Sequence, residues 1–280
     1  MTAAGQAPIL EIVDFGKTYR VRRSSGLGRC ETVAAQHISF TVGDGESVAI
    51  IGESGSGKST IARCIVGLET ATAGTIRFRG EDWTSRRRLT HRERRRRGGE
   101  VQMVFQDPYQ SLDPRQRIGA GLDEVLRLHT PLAAAERRDR IDELLTQVRL
   151  PPATAASLPR PLSGGQRQRV AIARALAAQP RLLILDEAVS ALDVSVQAQV
   201  LRLLADIRAD TGVAFLFISH DLAVVRQISE RVLVMRHGEI VETGDTDAVL
   251  RDPQHAYTKR LIASVPREGW SPRRAVVGID

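Results

Sequence analysis

The sequence predicts an α/β protein with a mostly parallel core sheet, an antiparallel β part and a helical insertion. Three observations predict it. Short apolar runs at residues 46–51, 181–185 and 213–218 have the length and texture of buried strands. Helical patterns lie between such runs, as the crossovers of parallel strands require. Between residues 114 and 161 the strand signals stop and only helical periodicity remains.

The elements follow in order. Residues 9–15 and 33–42 read as strands, separated by an Arg-, Ser- and Gly-rich loop at 22–28. Residues 46–51 form a strand that enters a glycine-rich turn, and 58–68 have helical spacing with Ile61, Ile65 and Leu68 on one face. Residues 75–78 and 101–105 are further strands. Two amphipathic helices fill 118–150, broken at Thr130-Pro131. Leu122, Val125 and Leu126 share one face, and Ile141, Leu144, Leu145 and Val148 the next. A proline-rich stretch at 151–161 closes this insertion. Residues 166–178 are helical and stop before Pro180. The strand at 181–185 is followed by a helical stripe of Val196, Val200, Leu203, Leu204 and Ile207. After the strand at 213–218, residues 231–241 form a hairpin turning at His237-Gly238.

Composition bounds the function. The 280 residues carry a net charge of +7, concentrated in Arg86-Arg87-Arg88 and in the arginines of 92–97. This run is expected to be a solvated, mobile surface segment, ahead of docking to anionic lipid or to a partner. Nucleic acid is not an expected partner, because Trp83 is the only aromatic residue nearby. No run of 18 apolar residues exists, so no membrane span is expected. Cys30 and Cys64 are too few and too far apart for a metal knuckle or a disulfide framework.

The chemistry-bearing motifs sit at strand ends. Gly52-Glu53-Ser54-Gly55-Ser56-Gly57-Lys58-Ser59 matches the phosphate-loop pattern. Its backbone can aim successive N–H groups at phosphate oxygens, and the helix behind adds its positive end. Gly52, Ser54, Gly55, Gly57 and Thr60 are therefore nucleotide-binding candidates. Lys58 brings a full charge to the β- and γ-phosphates, and the Ser59 hydroxyl can hold Mg²⁺. Asp186 and Glu187 end a buried apolar strand. Asp186 is the second Mg²⁺ candidate, and Glu187 the group that orients or deprotonates the attacking water. Gln106 follows the strand at 101–105 and heads the insertion. Its amide can reach Mg²⁺ or the water. His220, at another strand end, can hydrogen-bond the γ-phosphate and hold Glu187.

Leu162-Ser163-Gly164-Gly165-Gln166 just before a helix completes the set. With these motifs in this order, the chain resembles the nucleotide-binding subunits of ATP-binding cassette (ABC) transporters from about residue 9 to 265. The resemblance implies a phosphate-loop NTPase fold of ABC type, with a cassette at 8–245 and an importer-type extension at 246–280. It implies that Tyr19 stacks on adenine. It also implies that Ser163, Gly164, Gly165 and Gln166 contact the γ-phosphate of an ATP held by another subunit. Ser190-Ala191-Leu192-Asp193 resembles the loop crossing between the two ATP sites, which makes Asp193 a candidate as well.

The finer texture resembles the ATPases of dipeptide, oligopeptide and nickel importers. Three stretches carry it: 104–115, 189–199 and 252–259. Ala188 and Ala256 stand where that family usually has proline, and neither change removes a ligand. Pro161 stands where many relatives carry an acid, which bears on docking to the permease. The resemblance implies an ATP- and Mg²⁺-dependent motor on the cytoplasmic face of the membrane. Its partners would be two permease subunits, a second ATPase and an external solute-binding protein. Rival readings remain a non-transport cassette, such as part of a phosphonate-cleaving complex, an exporter ATPase and an inactive pseudo-ATPase.

Overall fold

The computed structural model describes residues 7–22, 29–84, 89–107 and 111–264. Strands β1 (Leu10–Arg22) and β2 (Arg29–Val42) pair antiparallel. Next come β3 (Ser47–Ile51), helix α1 (Lys58–Ile65), β4 (Ala73–Phe78) and the short β5 (Glu81–Asp82). Helix α2 (His91–Glu100) leads into β6 (Val101–Val104). The insertion holds α3 (Ile118–His129), α4 (Ala134–Gln147) and a 3₁₀ turn at Pro152–Ala156. Helices and strands then alternate: α5 (Gly164–Ala177), β7 (Leu182–Asp186), α6 (Val194–Thr211), β8 (Ala214–Ile218) and α7 (Leu222–Ile228). The hairpin β9 (Arg231–Arg236) and β10 (Glu239–Asp245) precedes α8 (Thr246–Arg251) and α9 (Ala256–Ala263).

Six strands form the core sheet in the order β10-β9-β3-β8-β7-β6. All neighbours are parallel except the β9–β10 hairpin. Side-chain alternation splits each central strand between two cores. Ala49, Ile51, Leu183, Leu185, Phe215 and Phe217 join the helices of the insertion, α5 and α6 on one face. Val48, Ile50, Leu182, Ile184, Leu216 and Ile218 face α1 and the antiparallel sheet β2-β1-β4-β5 on the other. Burial on both faces explains the continuous apolar runs. It also sends the C-terminal ends of β3, β6, β7 and β8 to one edge, where ligands bind in open parallel sheets.

The insertion helices bury the stripes read from the sequence, from Leu122 to Val148. Other expectations need correction. Helix α1 stops at Ile65. Gly67 takes a φ of +77°, and the Gly67 and Leu68 N–H groups turn back to Cys64 O and Arg63 O. Leu68 is consequently 63% exposed rather than on the buried face. Strand β1 runs well past residue 15, and register shifts between Ile12 and Thr18 break the period-two pattern by which its continuation would have been legible. Residues 23–28 and 85–88, including Arg86-Arg87-Arg88, lie outside the described residues.

The arginines of 92–97 are helical, and Arg92, Arg94, Arg95 and Arg96 are exposed as expected, whereas Arg97 is not. The run forms α2, opened by a reciprocal Thr90–Glu93 capping box. Arg97 is 8% exposed. Its guanidinium lies 4.9 Å from the centre of the Trp83 ring and donates to Trp83 O at 2.6 Å. Trp83 in turn packs on Phe78, with ring centroids 4.4 Å apart. Arg97→Ala should therefore cost about 1–3 kcal/mol of stability through lost stem packing, ring contact and hydrogen bonding. Equal changes at exposed Arg92 or Arg94 should cost under about 0.5 kcal/mol. Urea denaturation of the three variants checks the contrast.

Candidate functional site

The loop after β3 is shaped by steric necessity at two glycines. A Cβ on Gly52, at φ +148°, would lie 2.2 Å from Met235 O, and one on Gly57, at φ +102°, 2.2 Å from Ala34 O. Both backbones press against neighbouring chain, so the loop closes tightly under its own crest, where Ser54 and Gly55 are exposed. The Gly238 N–H donates to Ser56 O at 3.1 Å, bracing the loop from the hairpin turn. Ile61 N–H donates to Gly57 O. The N–H groups of Lys58, Ser59 and Thr60 precede that bond and have no intrahelical acceptor, as at any helix start.

Lys58 is buried, and its Nζ donates to Gly52 O and Glu53 O, each at 2.8 Å. Burial pulls its ammonium below the ordinary lysine range, against the opposing pull of Glu187 and Asp186. Ser59 Oγ donates to Asp186 Oδ1 at 2.9 Å. Burial pushes the Asp186 carboxyl upward, and the Ser59 hydroxyl opposes it. The neighbouring Glu187 adopts a φ of +49°, the left-handed region, with its N–H donating to Ile218 O at 2.9 Å. Such a backbone conformation at a strand end is uncommon for a non-glycine residue. Asp186 meets Ser59 on α1, while Glu187 lies beside His220.

His220 Nδ1 lies 3.5 Å from Glu187 Oε1, with the imidazole 60% and the carboxylate 22% exposed. Gln106 Nε2 lies 3.4 Å from Ser190 Oγ, which donates to Glu187 O at 2.9 Å. Four separated segments thus meet at one edge of the sheet: the phosphate loop, Gln106, the stretch from Asp186 to Ser190, and His220.

Ser163 to Gln166 are assembled elsewhere. Ser163 caps α5, with Gln166 N–H donating to Ser163 Oγ at 3.2 Å and Ser163 N–H to Gln166 Oε1 at 2.8 Å. A Cβ on Gly165 would lie 2.4 Å from Val196 Cγ1, so α5 and α6 touch there, and Gly164 faces Leu192. Among the described residues, no hydrogen bond or ion pair joins 163–166 to Lys58, Ser59, Asp186 or Glu187. Asp193 caps α6 and accepts from Val196 N–H and Ser195 Oγ, contacts that hold its carboxyl below the usual range. Tyr19 bonds through its hydroxyl to Glu69, with Lys17 Nζ 4.8 Å from its ring centre. Burial and the Glu69 carboxylate push its phenol upward, and Thr60 lies beside it. Tyr19 therefore stands next to the start of α1, with one ring face already covered.

One neighbour of the site belongs to the tail stretch 252–259, to which the sequence assigns no site role. Tyr257, on α9, accepts the Glu53 N–H at 3.1 Å. The two residues are 204 positions apart, and no local pattern links them.

The fold and its edge site define a phosphate-loop α/β protein with an added helical subdomain. Residues 35–190 match the family profile described as ABC transporter, and residues 241–277 that of the oligopeptide/dipeptide transporter C-terminal region. The chain belongs to the ABC transporter family. It is 46% identical to the glutathione import ATP-binding protein GsiA of Escherichia coli K12 over 278 residues. That match takes in 94% of this chain and 44% of the relative, so the chain spans less than half of GsiA. A Brucella abortus (strain 2308) protein named "Putative peptide import ATP-binding protein BAB2_1053" is 44% identical, covering 98% of this chain and 82% of that one. Among solved structures, the dimeric post-hydrolysis state of the ATP-binding cassette MJ0796 with ADP and Pi is 29% identical. Its TM-score is 0.72, over 85% of this chain and 98% of that chain. CbiO1 of Clostridium perfringens, part of the transporter complex CbiONQ, is 26% identical with a TM-score of 0.75, over 88% and 92%. No helix among the described residues is long and apolar enough to cross a membrane.

Proposed function

We propose that this chain is the ATP-hydrolysing motor of an importer for peptides or a related small solute. It would act with a second cassette and separate permease subunits at the cytoplasmic face of a membrane. The observation that carries the reading is the gathering of Lys58, Ser59, Asp186, Glu187 and His220 at one sheet edge, with the capped Ser163 turn presented apart from it. Residues 8–245 would be the cassette and 246–280 the importer-type extension. The profile match at 241–277 favours an importer over a non-transport cassette.

The residues fit a nucleotide triphosphate. Lys58 is buried within the loop with its ammonium on Gly52 O and Glu53 O, so phosphate oxygens would replace part of that bonding at a donor already positioned there. The free N–H groups opening α1 add donors along the helix dipole. Ser59 and Asp186 place two hard oxygen donors side by side, as Mg²⁺ prefers, and Gln106, whose amide lies 3.4 Å from Ser190 Oγ, would join them. Mg²⁺ would neutralise charge on the β- and γ-phosphates. Among the described residues, no group of three or more His, Cys, Asp or Glu side chains could hold a metal alone. The cation would take further ligands from the nucleotide's own oxygens.

Glu187 would accept the proton of the attacking water, while His220 steadies its carboxylate and meets the γ-phosphate. Ser163, Gly164, Gly165 and Gln166 would meet the γ-phosphate of the second cassette's ATP with the N-terminus of α5, and Asp193 would line the crossing loop. ATP then binds the closed pair better than the open one, and hydrolysis releases it. Tyr19 would receive adenine on the ring face away from Lys17. Gln106, at the head of the insertion, would carry the motion to the permease.

Isolation of the native assembly tests the reading. We expect two permease chains, a second cassette, a solute-binding protein and MgATP hydrolysis. Recovery with lyase subunits and no permease would overturn it.

A further inference from the structure

Within the phosphate loop, the peptide unit joining Gly52 to Glu53 is gripped from both sides. Its carbonyl, Gly52 O, accepts from Lys58 Nζ at 2.8 Å. Its N–H, that of Glu53, donates to Tyr257 Oη at 3.1 Å. A trans peptide is planar, with C=O and N–H pointing to opposite sides. The tyrosine hydroxyl and the lysine ammonium therefore hold one rigid plate at its two edges. The plate adjoins Gly52, which takes a φ of +148° close against Met235 O. Without the outer bond, the plate and the next peptide keep only the inner bonds, from Lys58 to Gly52 O and Glu53 O and from Ser56 N–H to Glu53 O, so the plate's tilt is less restrained on the Glu53 N–H side.

Tyr257 is itself firmly placed. It is 3% exposed, and the Arg236 guanidinium lies 5.1 Å from the centre of its ring. Its own N–H donates to His255 Nδ1 at 3.1 Å. Just before it, the Glu242 carboxylate on β10 accepts the N–H groups of Gln254 and His255 at 2.7 and 3.1 Å. The hairpin β9–β10 thus fixes where the hydroxyl stands. Glu242, Gln254, His255 and Tyr257 belong to the segment that matches the oligopeptide/dipeptide transporter C-terminal region.

We propose that Tyr257 is a positioning residue for the nucleotide site: its hydroxyl orients the Gly52–Glu53 peptide so that Lys58 is held ready for phosphate. The C-terminal segment thereby contributes to the ATP grip without touching ATP. The proposal rests on the nucleotide-binding reading above.

The test uses the full chain with Glu187→Gln, so that ATP is not consumed, with and without Tyr257→Phe. Phenylalanine keeps the buried ring and removes only the hydroxyl. The expected result has two parts. Without nucleotide, the Glu53 amide exchanges faster with deuterated solvent in the Phe variant. With MgATP, its Kd rises about three- to tenfold, the worth of one hydrogen bond. In the assembled complex with native Glu187, the same substitution raises KM for ATP while kcat is retained. An unchanged Kd would overturn the proposal, as would a weaker Kd with no change in Glu53 exchange. If the chain with native Tyr257 failed to bind MgATP, the proposed function itself would fall. The exchange measurement, made without nucleotide, would still report on the peptide contact.

Discussion

Glu187→Gln is expected to bind MgATP as tightly as the native chain and to hydrolyse it about a hundred- to ten-thousandfold more slowly in the assembled complex. The amide keeps the size and hydrogen-bonding reach of the carboxylate, so substrate binding is spared. It cannot accept a proton from water, so the chemical step loses its base. The local backbone supports this separation. The left-handed turn at Glu187 and its N–H bond to Ile218 O depend on main-chain atoms, which the substitution leaves alone. With ATP uncleaved, the closed pair of cassettes should persist and be recovered as a long-lived complex. Single-turnover hydrolysis beside a binding titration separates the two effects. A native hydrolysis rate in the variant would remove Glu187 from this role and leave Asp186 or His220 to be reconsidered.

Lys58→Ala is expected to abolish measurable ATP binding while leaving the fold intact. Each charge-assisted hydrogen bond to phosphate is worth about 1.5–3 kcal/mol, and the ammonium can serve two phosphates. The loss should therefore exceed about a hundredfold in Kd. Stability should change little in the nucleotide-free chain. Burial disfavours the charged form of this lysine, which offsets what its bonds to Gly52 O and Glu53 O contribute. Titration with MgATP and thermal unfolding without it check the two halves. A large fall in unfolding temperature would recast Lys58 as a structural pin.

Much of the site was legible because its motifs are local. The phosphate loop needs glycines and a lysine at set spacing, and the buried strand ending at Asp186-Glu187 announces itself by its apolar run. The insertion helices were readable because Leu122, Val125, Ile141 and Leu145 recur at helical period. Helix α2 was not, because its arginines carry no apolar stripe, and the packing of Arg97 on Trp83 is a tertiary matter. The bonds from Tyr19 to Glu69 and from Tyr257 to Glu53 cross long stretches of sequence, so no spacing rule reports them. The positive φ of Glu187 was hidden for another reason: nothing in a glutamate marks a left-handed turn.

The claim that two cassettes share each nucleotide is tested most directly with an ATP analogue carrying a photoreactive group on its γ-phosphate. In the assembled complex, it should label residues 163–166. In the isolated chain at high dilution, it should occupy the Lys58 site and leave those residues unlabelled. Equal labelling of 163–166 in the dilute chain, or none in the complex, would contradict the account.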